Sequence, residues 1–478
     1  MVSAAGARRW SEEPVNDERT GAVARDGHNR RLGPMKTPWK RQYVRLALGL
    51  LMAGLATGSR PFDLRAAEVD VTAVEHVRPA LPVIPERTFR LTDFGAVGDG
   101  TTLNTEAFAR AIAAVAKAGG GKLVVPAGTF RTGPFALCSS LELHLEAGAL
   151  IQAPATFADW GLPEPTTFSS QAEVNAAVKP VPPLIHGRKL HDVAITGSGQ
   201  IDGNGALWWA WSERAARAQR GRLVYKRTHM IIIDGCERLR VADVTLSNSA
   251  MFHLVPRRIT DLTIERVKVR APEEAPNTDA IDPGSVTNAW IHHCDIDTGD
   301  DNIVIKSGGT NILIEDCVIK HGHGISIGSE TTEGVRNMLV RRCSFDGTDN
   351  GIRIKSMRGA GGVVENIRYT GITMKDVENA IVLDLTYTDN NRPNFRGDPT
   401  KIPVIRDILI DHVTVTGSLK AGKIVGLPDS PISGVTLRDV TIQAEKDLVV
   451  KDAGAPVFER VTRQIEPGVA PRKPAYVH

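Results

Sequence analysis

The sequence predicts an all-β protein wound as a right-handed parallel β-helix with a short N-terminal capping helix, and three observations carry that prediction. The composition comes first: 45 Gly and only 5% aromatics in 478 residues, with many β-branched side chains, favour short strands joined by tight turns. Next is a repeat. With Ile281, Ile303, Ile325 and Ile352 in one column, the flanks align without gaps in steps of 22, 22 and 27 residues. Pro283, Ile305, Ile327 and Ile354 form a second, mostly apolar column, as alternate inward residues of stacked strands should. Finally, each unit carries several short apolar strands ("NAWIHHCDI", "NILIEDCVI", "NMLVRRCSF") with no helix between them. Such a period fits a solenoid whose rungs stack at about 4.8 Å. A β-sandwich or propeller is disfavoured, because Asn-Gly hairpin signals are sparse and propeller blades repeat at about twice this length.

Residues 1–34 are polar and unpatterned and read as an upstream extension, with Met35 as the native start. Lys36, Lys40, Arg41 and Arg45 precede the apolar run "LALGLLMAGLAT" and the small residues Ala56 and Gly58, so residues 35–67 read as a signal peptide and linker. The run is 12 residues long, short of the roughly 20 a membrane span needs. The expected location is secreted or periplasmic, with no membrane association after cleavage. This region also distorts the charge balance. Residues 1–67 hold 12 of the 58 Lys+Arg and 6 of the 55 Asp+Glu, which leaves 46 against 49 in the rest. A slightly acidic body argues against a nucleic-acid partner.

A single catalytic β-helix is expected over residues 88–460, followed by a loose Pro-, Arg- and Lys-rich tail, 461–478. Within it, "TEAFARAIAAVAKAGGG" (105–121) has apolar residues at helical spacing and a Gly run to end it, as a cap over the solenoid's end would. Residues 155–183 and 203–228 read as excursions that wall a cleft, with aromatics that either stack on sugars or pack. The column Ala280, Asn302, Gly324, Gly351 marks a bend at positive φ on each rung, with Ala280 as the exception. Five widely spaced cysteines fit neither a disulfide framework nor zinc-ligand spacing. Cys294, Cys317 and Cys343 read as a stacked interior column, Ser285, Ser307, Ser329 and Ser356 as structural stacking. No cofactor or metal is expected, and a monomer is.

The chemistry lies two places before the isoleucines. Asp279, Asp301 and His323 form a ladder on one face, with Asp300 beside Asp301, and Arg353 and Lys355 fall on the same strip one rung beyond His323. Asp and Asn at solenoid turns often only satisfy backbone groups. Clustered carboxylates repel, however, and raise at least one pKa, a cost without structural return. Hydrolysis of a glycosidic bond needs such a set: one carboxylic acid kept protonated for the leaving oxygen and another kept ionised to activate water.

"NTDAID", "GDDNIVIKSG", "GHGISIGSE" and "RIKS" resemble, in order, the four motifs of family 28 glycoside hydrolases, the polygalacturonases; the "DFGAVGDG" region resembles the cap of exported pectin-acting β-helix proteins. The resemblance covers roughly residues 88–450. It implies that Asp300 is the general acid, that Asp279 and Asp301 hold and deprotonate the attacking water with inversion, and that His323 tunes the acid. It implies that Arg353 and Lys355 bind a galacturonate carboxylate, that Asn277 orients the first motif and that Tyr387 contacts sugar. The implied substrate is an acidic plant polysaccharide, polygalacturonate or pectin. Ala280 and Asn302 depart from the family's usual Gly and Cys. Inversion leads to the expectation that acid and base carboxylates stand roughly 6.5–9.5 Å apart. With no extra domain to close the cleft, internal cutting is expected over cutting from a chain end. The alternatives are an exo-polygalacturonase or related pectin-backbone hydrolase and, after these, a Ca²⁺-dependent pectate lyase or a non-catalytic polysaccharide-binding solenoid.

Overall fold

The computed structural model describes residues 69–219, 221–387 and 398–471. The upstream extension, the signal peptide and linker, and the last seven residues of the tail lie outside the described residues. Apolar residues one period apart stack as the repeat requires. Leu254, Ile281, Ile303, Ile325, Ile352 and Ile381 are successive parallel partners, and each is fully buried. Ile305, Ile327 and Ile354 form the neighbouring column, and Ile291, Ile314, Val340, Tyr369 and Ile410 line another wall. A one-residue slip would turn every one of these side chains outward, so the interior columns set the register. The outcome, among the described residues, is 27 strands joined in one wound sheet, a right-handed parallel β-helix.

One end is capped as expected. The helix Thr105–Lys117 buries Phe108, Ala111, Ile112 and Val115, stacks Phe108 on Phe135 at 4.4 Å, and ends at Gly119 and Gly120, both at positive φ. Cys294, Cys317 and Cys343 are buried and unpaired, as an interior column should be.

Three features differ from the expectation. The left-handed bend is not at the column before the isoleucines, where only Gly324 has positive φ; Ala280 and Asn302 instead donate their N–H groups to the next rung. Gly351 is needed for room, since a Cβ there would lie 2.7 Å from the Ala380 backbone oxygen and also press on the Met374 side chain. The repeated bend falls at Asn288, Asn311, Asn337 and Asn366, all left-handed, whose amides link rung to rung at 2.8–3.2 Å. Asn tolerates that conformation, and its short amide bonds locally. The solenoid also continues past 460: Val457–Ile465 pairs with Ser433–Lys446, so the first residues of the expected tail are strand. Last, residues 69–87, between the linker and the expected domain, run along the outside of the coil. Val71 and Val74 pack on Leu313 and Leu339, Arg78 lies 4.0 Å over Trp290, and Val83 N–H reaches Asp192 at 2.7 Å.

Candidate active site

Backbone bonds between rungs hold the polar ladder. Ala280 N–H donates to Asp301 O at 2.8 Å, Asn302 N–H to Gly324 O at 3.2 Å and His323 N–H to Asp300 O at 2.9 Å. Asp279, Asp301 and His323 therefore follow one another on successive turns. Gly299 lets these turns approach, because a Cβ there would sit 2.4 Å from Ala275 O. On the adjoining strands Ser326 is the register partner of Arg353, which aims Arg353 and Lys355 back at the carboxylates.

Each carboxylate has a different set of partners. Asp301 is buried and takes Lys355 Nζ at 2.8 Å, Ser326 Oγ at 2.9 Å and the Arg353 guanidinium. Asp300, one-fifth exposed, faces His323 Nδ1 at 3.0 Å and Asn277 Nδ2 at 3.5 Å. His323 Nε2 meets Asp349 at 3.2 Å, giving a chain Asp300–His323–Asp349. Asp279 accepts from Lys306 at 3.0 Å, and Lys306 is equally close to Asp282. Arg227 enters from the 203–228 excursion to bond Asn277 Oδ1 at 2.6 Å. The Tyr387 ring centroid lies 5.2 Å from Lys355 Nζ.

These partners set the charges. Burial alone would raise Asp301, but Arg353 and Lys355 outweigh it and hold the carboxyl far below the carboxylate range. Burial would also raise Asp300, but the His323 charge and hydrogen bond bring it to about 2. His323 is correspondingly raised to about 9: burial opposes the charge, and Asp300 and Asp349 overcome it. The expectation that Asp300 is kept protonated is thus corrected. In the free protein its proton rests on His323. For Asp279 burial wins over Lys306, and the carboxyl is pushed well above its usual value.

Arg353 and Lys355 are almost wholly buried and committed to Asp301, so they neutralise a carboxylate. Asp300, Asp301 and His323 offer ligand atoms within 4.8 Å of one another. A metal is nevertheless poorly served, since an imidazolium has no lone pair to give and Asp301 is already saturated with cations.

A family model, glycosyl hydrolases family 28, matches residues 120–454. The chain belongs to this family. A probable polygalacturonase of Vitis vinifera is 33% identical over 74% of this chain and 73% of its own. An endo-polygalacturonase of Pectobacterium carotovorum is 33% identical over 60% and 70%. Among solved structures, the Thermotoga maritima exopolygalacturonase superposes with a TM-score of 0.71 at 28% identity, covering 84% of this chain and 96% of that one. The chain is thus a glycoside hydrolase on a parallel β-helix.

In this family-28 chain one of the two expected carboxylate spacings, Asp300 to Asp301, falls short of the expectation. Oxygens of Asp300 and Asp301 lie within 4.8 Å, below the roughly 6.5 Å at which inverting spacing begins. The cause is covalent: chain neighbours have Cα atoms only about 3.8 Å apart. Spacing therefore does not decide stereochemistry here. Four polar residues escaped sequence reasoning. Asp282 and Lys306 sit inside "NTDAID" and "GDDNIVIKS", one place and three places after their column isoleucines. Asp349 stands three places before Ile352. Comparing every outward column, rather than only the one two places before each isoleucine, would have shown these three. Arg227 had no such signal. The two excursions pack on each other through Phe157, Trp208 and Tyr225, with ring centroids 4.9–5.1 Å apart, and through paired Gln171–Val224 bonds. Trp208 and Tyr225 are core residues of this wall, not a sugar platform.

Proposed function

We propose that this family-28 hydrolase cleaves α-1,4-linked galacturonan by acid/base catalysis with inversion. The observation that carries the reading is the carboxylate trio faced by a His and two cations at one cleft. The relatives named polygalacturonase support the substrate class. Asp300 protonates the leaving oxygen, and His323 Nδ1, 3.0 Å away, replaces that proton. Asp279 and Asp301 orient and deprotonate the water; Asp279 Oδ1 accepts from no donor among the described residues and is available to it. Arg353 and Lys355 face the galacturonate carboxylate, Tyr387 its ring, and Asn277 braces Asp300.

Incubation with polygalacturonate plus a chelator tests the reaction. New reducing ends without unsaturated uronate are expected, whereas unsaturated product lost on chelation would support the lyase. Lys355→Ala should weaken binding of de-esterified pectin far more than of methyl-esterified pectin, because only a free carboxylate gains a charge-assisted bond. Equal losses would reject the clamp.

Internal cutting is the mode expected from the sequence, and the similarity to the Pectobacterium endo-polygalacturonase supports it. A second reading, cutting from a chain end, is favoured by the packed wall whose Arg227 reaches Asn277 and by the similarity to the Thermotoga exopolygalacturonase. Early product sizes separate the two: a ladder of oligomers means internal cutting, a single small product chain-end cutting. Export is part of the proposal, and N-terminal sequencing of secreted material should find a start after about residue 58.

A further inference from the structure

Lys306 Nζ stands 3.0 Å from Oδ2 of both Asp279 and Asp282, and its remaining side faces the Phe252 ring, 3.9 Å to the centroid. The two carboxyl side chains are 3% and 1% exposed. Asp279 is hydrogen-bonded to Lys306, but Asp279 Oδ1 and both oxygens of Asp282 complete no hydrogen bond with a described protein group. Two buried carboxylates on one ammonium leave an uncompensated charge, and like charges this close raise a pKa between them.

Among the described residues, no second cation is hydrogen-bonded or ion-paired to the two carboxyls. Asp300 and Asp301 on the next turn add negative charge. Arg227 acts on Asp279 and Asp300 from the excursion, and Lys355, paired to Asp301, lies near Lys306. Arg257 and His229 flank the group, and His253 Nδ1 faces the Asp279 carbonyl at 3.0 Å. Burial pushes both imidazoles down to about 4, so near neutrality they carry no charge. Burial with crowding moves Asp279 and Asp282 upward together, Asp282 to about 7.

We propose that Asp279 and Asp282 act as a coupled pair holding one proton between them, with Lys306 fixing which carboxylate stays ionised toward the water. Asp282 and Lys306 are then positioning residues for water activation, an inference that rests on the hydrolase reading above. When the water O–H breaks, its proton passes to the ionised carboxylate and its oxygen bonds to the anomeric carbon as the glycosidic C–O bond breaks. The leaving oxygen takes its proton from Asp300. The pair, briefly doubly protonated, then returns one proton to solvent, and titrates as a unit with macroscopic pKa values.

The test is the acid limb of kcat/KM against pH on polygalacturonate. Asp282→Asn removes the competing charge and should move the limb to lower pH by about one unit or more. Lys306→Met should move it to higher pH, and Lys306→Arg should restore the wild-type limb. Shifts in the same direction, or none, would overturn the proposal. A second measurement does not depend on how the variants fold: ¹³C-carboxyl NMR of the wild-type protein should show the pair retaining one proton near pH 5. Both carboxyls ionised at that pH would overturn it. If polygalacturonate yields no reducing ends at all, the hydrolase reading fails separately, and the NMR titration still judges the pair.

Discussion

Asp279 and Asp301 occupy the same place on successive turns and are buried to the same degree, 3% and 2% exposed, yet they titrate on opposite sides of an ordinary carboxylate. Their cations differ. Asp301 has Arg353 and Lys355 to itself, while Asp279 shares Lys306 with Asp282. A unit charge about 4 Å away at an effective dielectric near 20 is worth about 4 kcal/mol, or about 3 pKa units. Full burial shifts a carboxyl by about 3–5 units the other way. Half a cation loses to burial and two cations beat it. The number of cations a turn supplies, not its depth, decides which way its carboxyl is shifted.

Substitution should expose that difference. The largest effect belongs to Asp300, which stands beside Asp301 and is served by His323. Asp300→Asn should lower kcat by at least about 10³-fold with the circular dichroism spectrum unchanged, since a positioned acid contributes about 10²–10⁴. Near wild-type turnover would remove it from the mechanism.

Stability should then separate the two compared turns. Asp301→Asn strands two buried cations and should cost about 3–5 kcal/mol of unfolding free energy. Asp279→Asn relieves crowding and should leave stability unchanged or raised. Equal losses in denaturant titrations would break the comparison. The smallest effect concerns His323, which the proposed mechanism has reprotonating Asp300. His323 is charged below its raised value of about 9 and loses that charge as pH rises through it. Asp349→Asn removes one carboxylate partner, so the alkaline limb of kcat/KM should move to lower pH, with recovery in Asp349→Glu. An unmoved limb would leave Asp349 a structural role only.

What was legible in the sequence follows from what repeats. Ile281, Ile303, Ile325 and Ile352 face the same apolar interior on each turn, so their spacing disclosed fold and register together. Asp279, Asp301 and His323 were visible because they ride on that register. The bend was misplaced because Gly324 and Gly351 are glycines for different reasons, one for positive φ and the other for clearance from the Ala380 backbone oxygen and Met374. Lys306 and Asp282 follow their column isoleucines rather than precede them, Lys306 at the same place as Lys355, so only a comparison of every outward column brings them out. The 69–87 strap and Arg227 touch the solenoid from outside the repeat, where periodicity carries no information.

The central claim is that these carboxylates hydrolyse the polymer by direct attack of water, without a bond between enzyme and sugar. Anomer formation, followed by NMR during the first turnovers on polygalacturonate, tests it most directly, because oxygen spacing in this cluster does not distinguish the two routes. Single displacement predicts that the α-linked polymer first yields the β-anomer, with the α form appearing only as the product mutarotates. Initial α product would require a covalent glycosyl intermediate and contradict the roles given to Asp279 and Asp301.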